Sequence, residues 1–513
     1  MIETLKLNLD WCVQKRTMVV IALSTFMHVL WLLGSSPVYQ PDAGNYALSA
    51  MLLQNGWDVF ASSIGSNRVP GYSFFMGVIV WPFGQQGMLA LLIVQHGLLV
   101  CGSLLVIKIS DELSPDGILG FIAGIISCFC FQLYGYANQP MSEVPYAFLL
   151  TSGVFFTARY LKTDSGIKLF YAVACFSIAT LFRPAAKILP WLLMGVVILR
   201  AVWPNFLYPE RQVVRGIHAF QRFIIGSLVA CSILSPWAIY NYVSNGNFSL
   251  TGTLGLNLYS NTIEYGDFWD EKSKDFNRIR DAYPVGRKKR LADNIFTNES
   301  ATWRQHMSAM GHFIAAEDIS MWDADQVFVN AAVDAIKAHP DLYIRHVFRT
   351  IVQNMIYTDQ TFLALPGFDE NAPRPLIFNY SKDLNNWRSP MTVTKEIIDS
   401  FGFEASNPIL FYEPTIVTPL IGVLSNLYAG MSLRWVVGLS FFVGGIVICL
   451  WVAVSSRSST TLLLLAFFGF QVVLTAMVVP GSARYRMPGD LVFAVILALP
   501  IVFILKQLGK SKK

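Results

Sequence analysis

The chain of 513 residues is 54% hydrophobic and only 14% charged, with a mean hydropathy of +0.48 and a formal net charge of +5. A soluble domain carries about 25% charged residues because its surface faces water. Most of this surface must therefore face lipid, and the small charge, spread over segment ends, excludes a nucleic-acid-binding stripe.

A membrane span needs about 20 mostly apolar residues. Lys6, Lys15 and Arg16 precede the first apolar run, 17–34, which has no small-residue cleavage site and reads as a retained span rather than a signal peptide. A polar loop, 35–86, follows; within it the apolar stretch 71–83 is too short to cross and reads as an interfacial or re-entrant helix. Further runs lie at 87–109, 117–136, 144–161, 168–183, 185–203 and 222–240, and the pair around Arg183-Pro184 is short enough for broken helices. The long polar segment 241–412 has helical periodicity over Asp323–Ala338 and Leu342–Tyr357. The second of these is apolar on one face with Arg345 and Arg349 on the other, which suits a helix on the membrane surface or one packed on its own domain. The last runs are 435–455, 460–480 and 490–506; 414–433 is ambiguous.

The expected fold is an all-α polytopic membrane bundle of about 10 (10–12) spans. Its expected divisions are an N-terminal catalytic module, 1–240, a large outer domain, 241–412, and C-terminal spans, 413–513. With a cytoplasmic N-terminus, alternate loops hold Lys108, then Arg159, Lys162 and Lys168, then Arg200, Arg211, Arg215 and Arg222, and the tail adds Lys506, Lys510, Lys512 and Lys513. That asymmetry obeys the positive-inside rule, places both termini in the cytoplasm, and favours leaving 414–433 on the outer surface. Of the seven cysteines only Cys12 lies outside an apolar run, so the outer segment is not stapled by disulfides, and Cys128 and Cys130 read as small buried hydrophobes.

Charges at the outer ends of spans call for an explanation, because each costs several kcal/mol near lipid unless paired or hydrated. Asp42, in Pro41-Asp-Ala-Gly-Asn-Tyr46, suits a general base, a metal ligand or the N-cap of a helix starting at Ala43. Arg68, in Asn67-Arg-Val-Pro-Gly-Tyr72, suits a turn anchor or a bidentate phosphate ligand. Glu143 suits a helix start, where an acid complements the dipole, or a second catalytic carboxylate. Arg183 and Lys187, with Arg484 and Arg486 near the last span, place cations against the positive-inside tendency. Together these motifs suit a phosphorylated, membrane-resident ligand. His306, His312, His339 and His346 lack zinc-ligand spacing, and no nucleotide-binding glycine motif occurs.

The order of these motifs resembles the GT-C glycosyltransferases, in the branch of the protein O-mannosyltransferases and the lipid A aminoarabinose transferase. Asp42 followed by Arg68-Val-Pro-Gly-Tyr72 is similar to that branch's first outer loop, and Glu143 to its second acidic position. Leu181-Phe-Arg-Pro-Ala-Ala186 resembles its "TRP" segment. Pro236-Trp-Ala-Ile-Tyr-Asn-Tyr242, then Gly255-Leu-Asn-Leu258 and Asn261, resemble the opening of its large outer loop. His339-Pro-Asp-Leu-Tyr-Ile-Arg345 is similar to a following surface helix, and Ala483-Arg-Tyr-Arg-Met-Pro488 to its "RYrlP" segment. Ala43 stands where the mannosyltransferases have a second acid, which argues against a divalent metal there, and Tyr240 replaces the usual Arg.

The resemblance implies transfer of one sugar from a polyprenyl-phosphate donor to a glycan, lipid or protein acceptor at the outer face, with inversion and no certain cofactor. Asp42 would be the base, supported by Glu143. The substrate-binding residues would be Arg68, Tyr72, Arg183, Lys187, Asn257, Arg484, Tyr485 and Arg486. An O-antigen-type polymerase and a lipid-linked sugar flippase are the rival readings, and a bacterial inner membrane is the expected location.

Overall fold

The computed structural model describes residues 11, 13–34, 41–64, 68–202, 216–264, 266–282, 310, 313–356, 444–451, 459–478 and 487–510. No strand occurs among them: the protein is an all-α, polytopic membrane protein. Arg484, Tyr485, Arg486 and the ambiguous run 414–433 lie outside the described residues.

Four described helices are long and apolar enough to cross a membrane: α1 (Arg16–Gly34), α5 (Gly87–Leu113), α11 (Gly216–Asn245) and α18 (Asp490–Lys510). After α1 come α2 (Pro41–Leu52), α3 (Trp57–Ile64) and α4 (Gly71–Phe83), the last being the short apolar helix expected at 71–83. Between α5 and α11 lie α6 (Ile118–Ser127), α7 (Phe131–Ala137), α8 (Glu143–Thr163), α9 (Gly166–Phe182) and α10 (Leu189–Val202). The span expected at 117–136 is thus two helices. The chain turns at Cys128–Cys130, and the Cys128 carbonyl is taken up by the Tyr134 hydroxyl at 2.6 Å, so the break strands no buried acceptor there. The break foreseen at Arg183-Pro184 is present as a 3₁₀ turn, Pro184–Ile188.

Charges gather at one end of this bundle. Arg16 pairs with Asp111 at 3.1 Å, Arg159 and Lys162 with Glu112 at 2.7 and 2.8 Å, Arg222 with Asp164 at 2.6 Å, and Lys506 with Asp116 at 2.6 Å. The first and last described spans therefore begin and end beside each other. Cys128 and Cys449 are buried among apolar neighbours, as small hydrophobes.

The long polar segment holds α12 (Leu254–Tyr259, continued by a π turn, Ser260–Glu264), α13 (Lys274–Ala282), α14 (Met321–Ala338) and α15 (Pro340–Ile356). It has its own core, in which Tyr259, Phe276, Phe313, Phe328 and a strip of alanines from α14 meet. The Pro-Trp and Gly-Leu-Asn-Leu motifs build its entrance. Trp237 donates from Nε1 to the Leu250 carbonyl at 2.9 Å, and Asn241 from Nδ2 to that of Ser249 at 2.7 Å, folding the chain back after α11. Gly255 then lies so close to α14 that a Cβ would sit 2.0 Å from the Asp325 carbonyl oxygen, so only glycine fits.

The polar segment docks on α16 (Ser459–Phe468) and α17 (Thr475–Val478), which a π segment joins. Asn261 donates to the carbonyls of Ala476 and Met477 at 3.1 Å each, and Tyr343 donates to Met477 at 2.7 Å. Because the Asn261 amide nitrogen is so used, its oxygen accepts from His346 Nε2 at 3.0 Å. Ile344 and Phe348 of α15 remain exposed. Burial, and then the neighbouring Arg349, lower the His346 pKa to about 4. That is below the unfolded value near 6.5, so the folded state favours the neutral ring. Its contribution is complete above about pH 6.5 and is lost as the pH falls through about 4, at a cost of at most about 3 kcal/mol. Melting temperature should fall with acidification across that window, and His346→Gln should flatten the fall; an unchanged slope in the Gln variant would assign the pH dependence to another group.

Candidate functional site

The starts of α2, α4 and α8 and the end of α9 meet at the end of the bundle opposite the basic cluster. The α2 helix begins at Pro41, so Asp42 stands in its first turn rather than capping a helix from Ala43. Its Oδ1 accepts from Arg68 Nη2 at 2.5 Å, and Arg68 Nη1 donates to the Tyr46 hydroxyl at 3.1 Å with the guanidinium 4.7 Å from the Tyr46 ring centre. Tyr46 is four residues after Asp42 and hence on the same helix face.

The second pair comes from α8 and the end of α9. Proline disfavours helical geometry in the residue before it, so Pro184 holds Arg183 extended, with φ −148° and ψ 122°. Arg183 Nη1 lies 2.8 Å from Glu143 Oε1; Glu143 is fully buried and Arg183 largely so. The Tyr46 hydroxyl bridges the pairs by donating to Ser142 Oγ at 3.4 Å. Two carboxylates and two guanidiniums, from four separate places in the sequence, thus form one polar site in which their formal charges cancel.

Gly71 makes the meeting possible: a Cβ there would lie 2.4 Å from the Leu181 carbonyl oxygen, two residues before Arg183. This close approach sets α4 against the end of α9 and seats Tyr72 beneath the site. Tyr72 packs edge-on against Tyr46 at 4.7 Å and donates to Gln95 Oε1 at 3.0 Å. Gln95 in turn donates to the carbonyls of Ala137 at 3.0 Å and Gln139 at 2.7 Å. His96 Nε2 donates to Asn138 Oδ1 at 2.7 Å, because the Asn138 amide nitrogen is directed to the Trp31 carbonyl at 3.3 Å. His96 Nδ1 is then the acceptor for His28 Nδ1, 2.8 Å away. Gln95 and His96 together fix the 137–139 segment that leads into Glu143.

Asp42, Arg68, Tyr72, Glu143 and Arg183 come together, whereas Lys187 and Asn257 lie toward α12 and α14. Lys187 is exposed within the 3₁₀ turn and is a neighbouring charge for Asp325. Burial raises the Asp325 pKa, opposed by the backbone N–H groups of Leu256, Gly255 and Leu254 and then by Lys187. The Asn257 amide donates to the Thr253 carbonyl at 2.8 Å, a bond that steadies its own helix. Among the described residues no group of three or more His, Cys, Asp or Glu could hold a metal ion.

The sequence reading passed over Tyr46, Ser142, Gln95, Asn138 and the His28–His96 pair. The signal for the histidines was present, since an ionisable residue inside an apolar run is unusual enough to mark a site or a polar network. Tyr46 carried no such mark, because a tyrosine four residues after an acid is commonplace.

Fold and site define a polytopic helical membrane protein with a charged site at one end of its bundle. No family model matches the chain, and no curated protein matches it. Among solved structures it is similar to the oligosaccharyltransferase AglB from Archaeoglobus fulgidus in complex with an inhibitory peptide and a dolichol-phosphate, at 12% identity and a TM-score of 0.47, over 98% of this chain and 52% of that one. It is also similar to ArnT from Cupriavidus metallidurans bound to undecaprenyl phosphate, at 14% identity and a TM-score of 0.32, over 94% of this chain and 77% of that one. The chain spans about half the length of the oligosaccharyltransferase. Likeness at these scores decides neither fold nor chemistry, which rest on the chain's own helices and side chains.

Proposed function

We propose that the chain is a membrane glycosyltransferase that moves one sugar from a polyprenyl-phosphate donor to an acceptor hydroxyl at the outer face of the membrane. The observation that carries this reading is the meeting of the Asp42–Arg68 and Glu143–Arg183 pairs at one end of an apolar bundle. Glycosyl transfer needs a base for the acceptor proton and cations for the departing phosphate. Both kinds of group stand here side by side, where a lipid chain in the bilayer would present its head group.

Asp42 is the base and Glu143 its support. In the resting pair Arg68 occupies Asp42. A donor phosphate that engages Arg68 draws the guanidinium toward itself and leaves the Asp42 carboxylate facing the acceptor hydroxyl. The hydroxyl oxygen attacks the anomeric carbon, its proton passes to Asp42, and the bond to the lipid phosphate breaks with inversion. Arg183 and Lys187 add positive charge for the leaving phosphate, and Arg484, Tyr485 and Arg486 join them on the strength of their motif. Asn257 and Tyr72 complete the substrate-binding set.

The module 1–240 carries this site, 241–412 forms the outer domain over it, and 413–513 closes the bundle. The cations Arg16, Arg159, Lys162, Arg222 and Lys506 at the opposite end support a cytoplasmic location for that end and for both termini, by the positive-inside rule. A bacterial inner membrane suits this arrangement, with the site on the periplasmic side.

The test has two arms. Purified protein incubated with a panel of polyprenyl-phosphate sugars and hydroxyl acceptors should release the lipid phosphate, and a reporter joined after Asp267 should be active only outside the cytoplasm. Movement of intact donor across vesicles without release would favour a flippase, and a growing glycan on a lipid diphosphate would favour a polymerase.

A further inference from the structure

We infer that Tyr146, on the floor of the site, is the specificity residue for the sugar: its hydroxyl hydrogen-bonds a hydroxyl group of a hexose carried by the donor. The inference rests on the glycosyltransferase reading and names the part of the site that reads the sugar rather than the phosphate.

Tyr146 follows Glu143 by three residues on α8, so the two side chains share a face. Side chains on a helix lean toward its N-terminus, and the N-terminus of α8 is the site. The Tyr146 ring lies 5.8 Å from the Arg183 guanidinium, which itself holds Glu143 at 2.8 Å. Tyr146 is 1% exposed, yet its hydroxyl has no hydrogen-bond partner among the described residues. A buried tyrosine normally finds a partner for its hydroxyl, since leaving one unmade costs more than the bond is worth in water. Phenylalanine would fill the same space without that cost. Gln139, fully buried in the segment that leads to Glu143, has an amide oxygen in the same condition, while its nitrogen donates to the Gly135 carbonyl at 3.1 Å.

One uncommitted hydroxyl and one uncommitted amide oxygen, both neutral, suit a polyhydroxylated neutral group better than an anion. A hydroxyl both donates and accepts, and a hexose offers several. The guanidiniums of Arg68 and Arg183, each paired with a carboxylate in the resting site, are left for the phosphate. This division separates the sugar from the lipid phosphate within one donor, and a site built to hydrogen-bond a hydroxyl discriminates strongly against a ligand that lacks it.

The experiment compares binding of undecaprenyl phosphate with that of undecaprenyl-phosphate glucose and undecaprenyl-phosphate mannose to the purified full-length protein, parent and Tyr146→Phe. The parent should prefer at least one hexose-bearing lipid by about tenfold, and Tyr146→Phe should lose most of that preference while binding undecaprenyl phosphate unchanged. The ligand-free melting temperature of the variant should equal or exceed the parent's, because the lost oxygen has no partner among the described residues. A Phe variant that keeps the preference, or a parent that has none, overturns the inference. If no lipid phosphate binds at all, with or without sugar, the glycosyltransferase reading falls as well.

Discussion

Asp42→Asn is expected to lower turnover by about 10²–10⁴-fold, the usual worth of a general base. The amide keeps the shape of the carboxylate, and its oxygen still accepts from Arg68, so the contact that now measures 2.5 Å survives in weaker form. What the amide cannot do is take the acceptor's proton. Donor affinity should hold or rise, because Arg68 no longer has to be drawn from a full negative charge. Stability should change little: an acid in the first turn of a helix contributes only about 0.3–1 kcal/mol through the dipole. Single-turnover release of lipid phosphate, measured beside donor binding, separates these effects. An Asn variant that turns over like the parent sinks the assignment, and Glu143→Gln is then the next variant to assay.

Gly71→Ala should have a comparable effect without touching the chemistry. The added methyl would lie 2.4 Å from the Leu181 carbonyl oxygen and 2.7 Å from its carbon, both backbone atoms that cannot rotate aside. The start of α4 must then move away from the end of α9. Arg68 lies three residues before Gly71 and Arg183 two residues after Leu181, so the displacement opens the gap between the two ion pairs. Forced repacking of this kind costs about 1–3 kcal/mol in stability, and a displacement of about 1 Å at a site can cost about 10²-fold in rate. Gly97 supplies the control. It lies in α5 with nothing among the described residues within 4 Å of where a Cβ would be, so Gly97→Ala should leave turnover intact and leave stability equal or slightly higher. Equal activity in Gly71→Ala and the parent would mean that the two pairs do not act together.

Several parts of the site were legible before any coordinates. The apolar runs are long, and their ends are marked by charge, so the membrane class and most helix bounds follow from local composition. Pro184 dictates the extended backbone of Arg183 through sterics confined to two residues. The periodicity of the outer helices placed Met321–Ala338 and Pro340–Ile356 nearly to the residue. Asp42, Arg68, Glu143 and Arg183 also stood out singly, because an acid or a cation beside lipid is too costly to be incidental.

The pairing of those charges was not legible. Arg68 and Arg183 looked like phosphate ligands, and in the folded protein each faces a carboxylate, one 26 and the other 40 positions away in the chain. Which acid meets which cation depends on how α2, α4, α8 and α9 pack, and packing is set by contacts such as Gly71 on Leu181 that leave no periodic trace. The break of the third apolar run at Cys128–Cys130 has the same origin, since a hydroxyl from Tyr134 replaces the helical partner of a carbonyl. Composition and periodicity act through short-range sterics and through transfer from water to lipid, so they determined by themselves that this chain is a helical membrane protein with charges gathered at the ends of its spans. Hydrogen bonds and ion pairs between distant segments obey geometry alone, and only the tertiary structure decided that Asp42, Arg68, Tyr46, Ser142, Glu143 and Arg183 form one site.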